Sequence, residues 1–288
     1  METSIFSQEY ILHPWKEDVA IRFAHKRTYG NPQRHRLHLN DHLEFFFPLT
    51  PVDYLAAGQI YHLKKGEVLP IAPHCVHAAV PISGDIYERM YIVMPLDAMQ
   101  RFSCDPLSKI LGSPSLSQPF GMPDSVVSDV FSSLQTAESL CRKSDDGWRD
   151  VAAFFHLAEA IRFVSSLVCT EEILCEPTNH LPEVVRQALQ YIERNLPDIE
   201  GAGEIANAIG FSLPYLSGRF HKIVGVSVTE YLNFRKIALA KRLLEQGTGV
   251  TEACYGSGFH DCSYFIRQFR AHTGATPNRY RKNTAKPF

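Results

Sequence analysis

The chain has 288 residues, 45% of them hydrophobic and 21% charged, enough for two domains or one large one. Its apolar runs fall short of the ~18 residues that cross a bilayer, and the N-terminal METSIFSQEYILHPWKED lacks the basic-then-apolar order of a secretory leader. The net charge of −2 hides an uneven spread: residues 181–288 hold 14 Lys+Arg against 9 Asp+Glu, so the C-terminal third is basic and suits a polyanion.

Seven scattered cysteines, odd in number and without a CxxC pair, exclude a disulfide framework or a zinc finger. Reduced thiols and a cytoplasmic location are therefore expected.

From about residue 20 to 95 the pattern is of short strands. EFFF (44–47), QIYHL (59–63), 68–72 and MYIVM (90–94) are rich in aromatic and branched residues, and Pro and Gly punctuate them at Pro48, Pro51, Gly58, Gly66, Pro73 and Gly84. Such spacing predicts a sandwich or barrel. Residues 100–146 begin Ser/Pro-rich and then turn helical. From Trp148, Phe154, Leu157, Ile161, Val164 and Val168 recur at helical steps. This stripe packs on its own domain or forms a homodimer contact, and the spacing does not choose between them. Residues 171–182 break the pattern with two prolines and read as a linker between a domain at 1–170 and one at 183–288.

Beyond Pro182 the pattern predicts only helices. They cover Glu183–Asn195, then Glu204–Ile209 stopped by Gly210, then a helix capped by Ser212 with Pro214 in its first turn and Gly225 at its end. Ser227 opens a longer helix through Leu244. A short one from Val250 ends near Gly258, and Asp261 caps a last one running to Gly274.

Two segments repeat. GFSLPYLSGRFHKIVG (210–225) and GFHDCSYFIRQFRAHTG (258–274) both open Gly-Phe, with Tyr215/Tyr264, Phe220/Phe269 and Gly225/Gly274 matching. A small residue, Ala206 or Cys254, stands four before each first glycine. Small residue, glycine turn and amphipathic helix describe a helix-turn-helix. Two of them on one joining helix would place two recognition helices about one DNA turn apart.

These residues, with EYL (230–232), Lys236-Ile237, SYFIRQF (263–269) and TPNRYR (276–281), resemble the DNA-binding domain of the AraC/XylS family of bacterial transcription regulators. The resemblance covers about a third of the chain. More loosely, the N-terminal half is similar to that family's cupin sensor domain. The fold implied is α+β in two domains: a cupin-like β-barrel with flanking helices, then an all-α domain with two helix-turn-helix units. It implies a sequence-specific regulator controlled by a small-molecule effector and not an enzyme, with no catalytic residues and no cofactor. The partners implied are double-stranded DNA and that effector, with RNA polymerase a candidate further one.

By the same resemblance, Pro214, Ser217 and Gly218 of the first unit face DNA, with Arg219 and Lys222 available to bases or phosphates. Gly218 stands where the family commonly has Arg, the side chain suited to guanine. In the second unit Cys262, Ser263, Ile266 and Arg267 are the exposed positions, and Arg267 is the leading candidate for a base contact. Arg270 and Arg281 are expected on phosphates, which position without reading sequence. Tyr215, Phe220, Phe259, Tyr264, Phe265 and Phe269 are assigned to packing.

RLHLNDHLEFFF (36–47) and KGEVLPIAPHCVHA (65–78) resemble the two strand motifs of cupins. Mapped here, the motif positions are His38, Asn40, Glu44 and His77. Asn40 departs from the His of metal-binding cupins, and the set is assigned to an organic effector, with no metal. His42 and His74 lie close by in sequence. Two alternatives stay open: a metal-dependent cupin enzyme with a helical appendage, and a regulator that needs no ligand.

Overall fold

The computed structural model describes residues 4–14, 20–29, 37–80, 84–95, 98, 116–144, 146–168, 175 and 181–284. Among them, ten strands come first and nine α-helices with one 3-10 turn follow. Most of the 171–182 segment lies outside the described residues.

The strands are β1 (Ser4–Leu12), β2 (Ile21–Tyr29), β3 (His38–Leu39), β4 (Leu43–Pro48), β5 (Val52–Ala56), β6 (Gln59–Leu63), β7 (Glu67–Ile71), β8 (Val76–Val80), β9 (Ile86–Met94) and β10 (Phe120–Gly121). They form two antiparallel sheets, ordered β1-β2-β9-β4-β7-β10 and β3-β8-β5-β6. Among the described residues, two helices, α1 (Asp124–Cys141) and α2 (Arg149–Val168), follow the strands in the N-terminal part.

Strand alternation sorts the layers. On β4, Leu43, Phe45 and Phe47 join the core that packs against α1 and α2, while Phe46 points the other way, between the sheets. Every residue of β4 is buried because both of its faces are covered. On the second sheet Tyr54, Tyr61, Leu63, Cys75 and Ala79 point inward. Leu55, Ile60, Val76 and Ala78 point outward, into the core of the C-terminal helices. The order of layers is therefore helices, sheet, barrel interior, sheet, helices.

The stripe on α2 resolves in favour of its own domain. Phe154, Leu157, Ile161 and Val164 are buried against α1 and the first sheet, so they are not available to a second copy. The Val168 side chain lies outside the described residues. Spacing revealed an apolar face but not its partner, which α1 supplies with Val130, Phe131, Leu134 and Ala137.

The C-terminal helices are α3 (Glu183–Asn195), α4 (Ala202–Ala208), α5 (Leu213–Val224), α6 (Val228–Glu245), α7 (Val250–Gly256), α8 (Cys262–Thr273) and α9 (Pro277–Thr284), with a 3-10 turn at Leu196–Asp198. Helix α6 also packs on the barrel. Lys241 donates to Asp41, and His74 Nε2 meets Glu245 Oε2 at 2.8 Å. Gly58 lets α3 approach the barrel as well: it has φ +73°, and a Cβ there would lie 2.3 Å from Glu193 Cγ.

Candidate nucleic-acid interface and barrel pocket

Both helix-turn-helix units are built by one local device. In the first, the Gly210 N–H donates to Asn207 O and the Phe211 N–H to Ala206 O, at 3.2 and 3.0 Å. In the second, Gly258 donates to Tyr255 O and Phe259 to Cys254 O, at 2.9 and 3.1 Å. These are paired Schellman bonds, which need a left-handed residue and favour an apolar one after it. Gly210 and Gly258 have φ +76° and +86°, and the Phe that follows fills the angle between helices. Gly258 is doubly required, since a Cβ would sit 2.3 Å from Pro197 O. Ala206 and Cys254, the positions that accept these bonds, are buried.

The second helix of each unit is then fixed at both ends. Asp261 accepts from the Ser263 and Tyr264 N–H groups, whereas Ser212 occupies the cap position of α5 without a side-chain bond. Gly225 and Gly274 end the two helices in the left-handed region. Leu216, Phe220 and Val224 bury one face of α5, and Phe265 and Phe269 one face of α8. Helix α6 spans the pair. Its Tyr231 and Leu232 belong to the first unit's core, and Ile237, Ala240 and Leu244 to the second's. At 18 residues it is ~27 Å long. Buried Lys236 donates to both Ile199 O and Gly258 O at 2.6 Å, tying the second turn to the segment before α4.

The opposite faces are open. Pro214, Gly218, Arg219 and Lys222 are exposed on α5, with Ser217 half-buried. Ser263, Ile266, Arg267 and Arg270 are exposed on α8, and Arg281 is half-buried on α9. The two clusters thus present cations on the side away from each core, as phosphate and base contacts need. Two expectations change. Tyr215 is 46% exposed, stacked at 5.7 Å on Phe211 with Arg219 over its ring, so it belongs to the open face and not to the core. Cys262 turns its thiol inward, 3.1 Å from Cys254 Sγ, and leaves the outward role at this end of α8 to Ser263.

The barrel holds a cavity of about 320 Å³, open to one side. His38, Asn40 and Glu44 line it together with Arg22, Lys26, Arg89, Tyr54 and Tyr87. The three cations were not anticipated, because β2 and β9 carry no motif, and Arg22 reaches the cavity from its exposed rim. Glu44 is 7% exposed. Burial pushes its carboxyl up to about 7, against the opposing pull of Arg22, the Asn40 amide and Lys26. Asn40 Nδ2 donates to Glu44 Oε2 at 2.8 Å. His77 is fully buried, and burial, then the nearby His38, lowers its pKa to about 3. His77 Nδ1 meets Cys75 O at 2.8 Å, and its Nε2 has no hydrogen-bond partner among the described residues. The sequence-derived set of His38, Asn40, Glu44 and His77 is thus brought together, whereas His74 sits apart, against α6.

A barrel packed on two glycine-turned helix-turn-helix units defines a class: a sensor-like domain joined to a two-unit DNA-binding domain. Residues 205–283 match the family model described as a helix-turn-helix domain. The chain is 27% identical over 250 residues to the uncharacterized HTH-type transcriptional regulator YbfI of Bacillus subtilis, covering 86% of this chain and 87% of that protein. It is 34% identical over 93 residues to the uncharacterized regulator YijO of Escherichia coli, a third of either chain. Among solved structures, ToxT of Vibrio cholerae is matched over 98% of both chains at 15% identity, with a TM-score of 0.37. A Listeria innocua protein of unknown function is matched at 35% identity over 35% of this chain, with a TM-score of 0.34. These superpositions are too loose to bear on function. The matched span and the named regulators make the C-terminal domain a helix-turn-helix domain of the AraC/XylS type, carried by a DNA-binding transcription regulator.

Proposed function

We propose that the chain is a sequence-specific regulator that reads DNA through residues 183–288 and responds to a small molecule held in the cavity of residues 1–170. The observation that carries the first half is the repeated Schellman turn, which aims α5 and α8 from one rigid helix. Base reading is assigned first to Arg267, then to Ser263, Ile266 and Ser217. Arg219, Lys222, Arg270 and Arg281 are assigned to phosphates.

The second half rests on one short strand. His38 and Asn40 line the cavity. Between and after them, Leu39 packs against both C-terminal cores and Asp41 accepts from Lys241 on α6. The four consecutive residues from His38 to Asp41 therefore touch the cavity through His38 and Asn40 and the DNA-binding domain through Leu39 and Asp41. A ligand that shifts His38 or Asn40 pulls directly on the contact that holds α6. Ligands act by binding one arrangement better than another, and this strand gives the two sites a shared element. The rim cations suit a ligand that carries negative charge.

The test is a thermal-shift screen of small organic acids and their neutral analogues, followed by DNA-affinity measurements with each hit. A ligand at about 100 times its Kd should stabilise the fold by ~2.7 kcal/mol. A hit that leaves DNA affinity unchanged would contradict the coupling, though not the DNA-binding assignment.

A further inference from the structure

Two thiols meet beneath the second glycine turn. Cys254 lies on α7 and Cys262 is the first residue of α8, and their sulfurs stand 3.1 Å apart. We propose that Cys254 and Cys262 form a reversible disulfide when a hydroperoxide reaches the protein, and that this modification weakens base reading by α8.

The first helix-turn-helix unit is an internal comparison. There Ala206 occupies the place of Cys254, and Leu213, the first residue of α5, occupies the place of Cys262. The same pair of turn bonds forms at Gly210 and Phe211 without sulfur. The turn therefore calls for a small residue at 254 but not for a thiol, and at 262 it calls for neither. A single buried cysteine would be a small apolar side chain. Cysteines at both positions, in contact, are not explained by packing.

Placement gives the two sulfurs different roles. Cys254 is fully buried, and its thiol also lies 3.7 Å from the Phe259 carbonyl. Burial, then the bond to Cys262, pushes this thiol up to about 12, so it stays protonated. Cys262 is half-buried at the start of α8, beside Tyr255, which is 57% exposed. A bond to Cys262 holds the Tyr255 phenol above its usual range, which places that sulfur next to an open surface. Cys262 is thus the sulfur that a solute reaches, and Cys254 the one that resolves the product.

The thiolate of Cys262 attacks the hydroxyl oxygen of the hydroperoxide. An S–O bond forms, the O–O bond breaks, and the departing oxygen takes up a proton as water or an alcohol. The Cys254 sulfur then attacks the sulfenic sulfur. An S–S bond forms, the S–O bond breaks, and hydroxide leaves with the Cys254 proton as water. Two thiols lose two electrons and two protons, and the hydroperoxide is reduced by the same two electrons.

Closing from 3.1 Å to the ~2.05 Å of a disulfide draws the sulfurs together by about 1 Å. The first turn of α8 carries one of them. Asp261 caps that turn, and Ser263 and Arg267 stand on its outer face. Directional contacts to base edges need placement within ~0.5 Å, whereas phosphate contacts are less exacting. This consequence rests on the assignment of base reading to α8.

The test treats reduced full-length protein with hydrogen peroxide or an organic hydroperoxide and maps its tryptic peptides without reductant. Residues 243–267 form one tryptic peptide that holds these two cysteines and no other. The expected product is that peptide two hydrogens lighter, restored by dithiothreitol. Cys254→Ala, which installs the first unit's residue, and Cys262→Ser should both fail to form it, and Cys175→Ser should form it normally. Oxidised protein should bind the selected duplex about tenfold more weakly while keeping its affinity for random DNA. Cys262→Ser should keep both affinities under peroxide. A peptide that stays reduced, or only gains oxygen, overturns the disulfide, and a disulfide that leaves selected-site affinity unchanged overturns the switch. Failure of the reduced protein to select any duplex would count against the regulator reading instead, and the peptide map would still decide the disulfide.

Discussion

His74 of the barrel and Glu245 of α6 are joined by a 2.8 Å contact between Nε2 and Oε2, 171 residues apart in sequence. The other ring nitrogen, Nδ1, lies 3.4 Å from Asp41 Oδ1, and Asp41 in turn accepts from Lys241. Tyr280 of α9 donates to the second oxygen of Glu245. Two acids, one lysine, one histidine and one tyrosine thus clasp the two domains together.

This clasp should be pH-dependent. Burial works against the His74 imidazolium, but its bonds to Asp41 and Glu245 outweigh burial and raise its pKa above the usual 6.5. A raised pKa gives stability that is complete below the unfolded value and lost as pH rises through the folded one. Melting temperature should therefore fall as pH rises through and above about 6.5, and His74→Gln should flatten that slope. Asp41 behaves oppositely. Burial raises its pKa, but His74 and Lys241 win and bring it to about 2, so its share is lost only in strong acid. An unaltered slope in His74→Gln would remove the histidine from the clasp.

Lys236→Met should destabilise the C-terminal domain by about 2–4 kcal/mol, because it strands two buried carbonyls, Ile199 O and Gly258 O. Burial lowers the lysine's pKa, against the opposing pull of Glu204. Urea denaturation measures the loss, and a change within error of zero would mean that water replaces the ammonium.

Gly218 has open space around the position a Cβ would occupy and no left-handed backbone to protect. Gly218→Ala should therefore stabilise α5 by ~1 kcal/mol. Gly218→Arg should add a cation to the open face and raise affinity for random DNA. Fluorescence anisotropy on unrelated duplexes at several salt concentrations reads this directly.

Arg267→Ala should weaken binding to the selected site by about 1–3 kcal/mol while sparing most binding to random DNA. Arg270→Ala should instead weaken both alike and make the salt slope shallower by about one. Equal losses in both variants on both DNAs would take base reading away from Arg267.

What the sequence disclosed depends on how local the cause was. The Gly-Phe pairs at 210 and 258 were legible because a Schellman turn is made within six residues. The equivalence of Tyr215 and Tyr264 was legible too, but not their different surroundings. Tyr264 accepts a hydrogen bond from Asn233 of α6 at 2.8 Å, while Tyr215 stacks on its neighbour Phe211 in the open. Helix α9 escaped notice because TPNRYR is polar and short; Tyr280, buried in the second unit, is what secures it. The clasp left no sequence signal at all. Asp41, His74 and Lys241 sit in ordinary surface-like contexts, and only the packing of α6 on the second sheet brings them together.

On the proposed reading, α5 and α8 enter successive major grooves of one DNA site. Selection of bound duplexes from a random pool, followed by methylation-interference footprinting on the selected site, tests it most directly. Docking of both helices should give an enriched sequence with two major-groove contacts about 10–10.5 base pairs apart, the α8 contact being lost in Arg267→Ala. An unenriched pool, or a single contact that survives in Arg267→Ala, would contradict it.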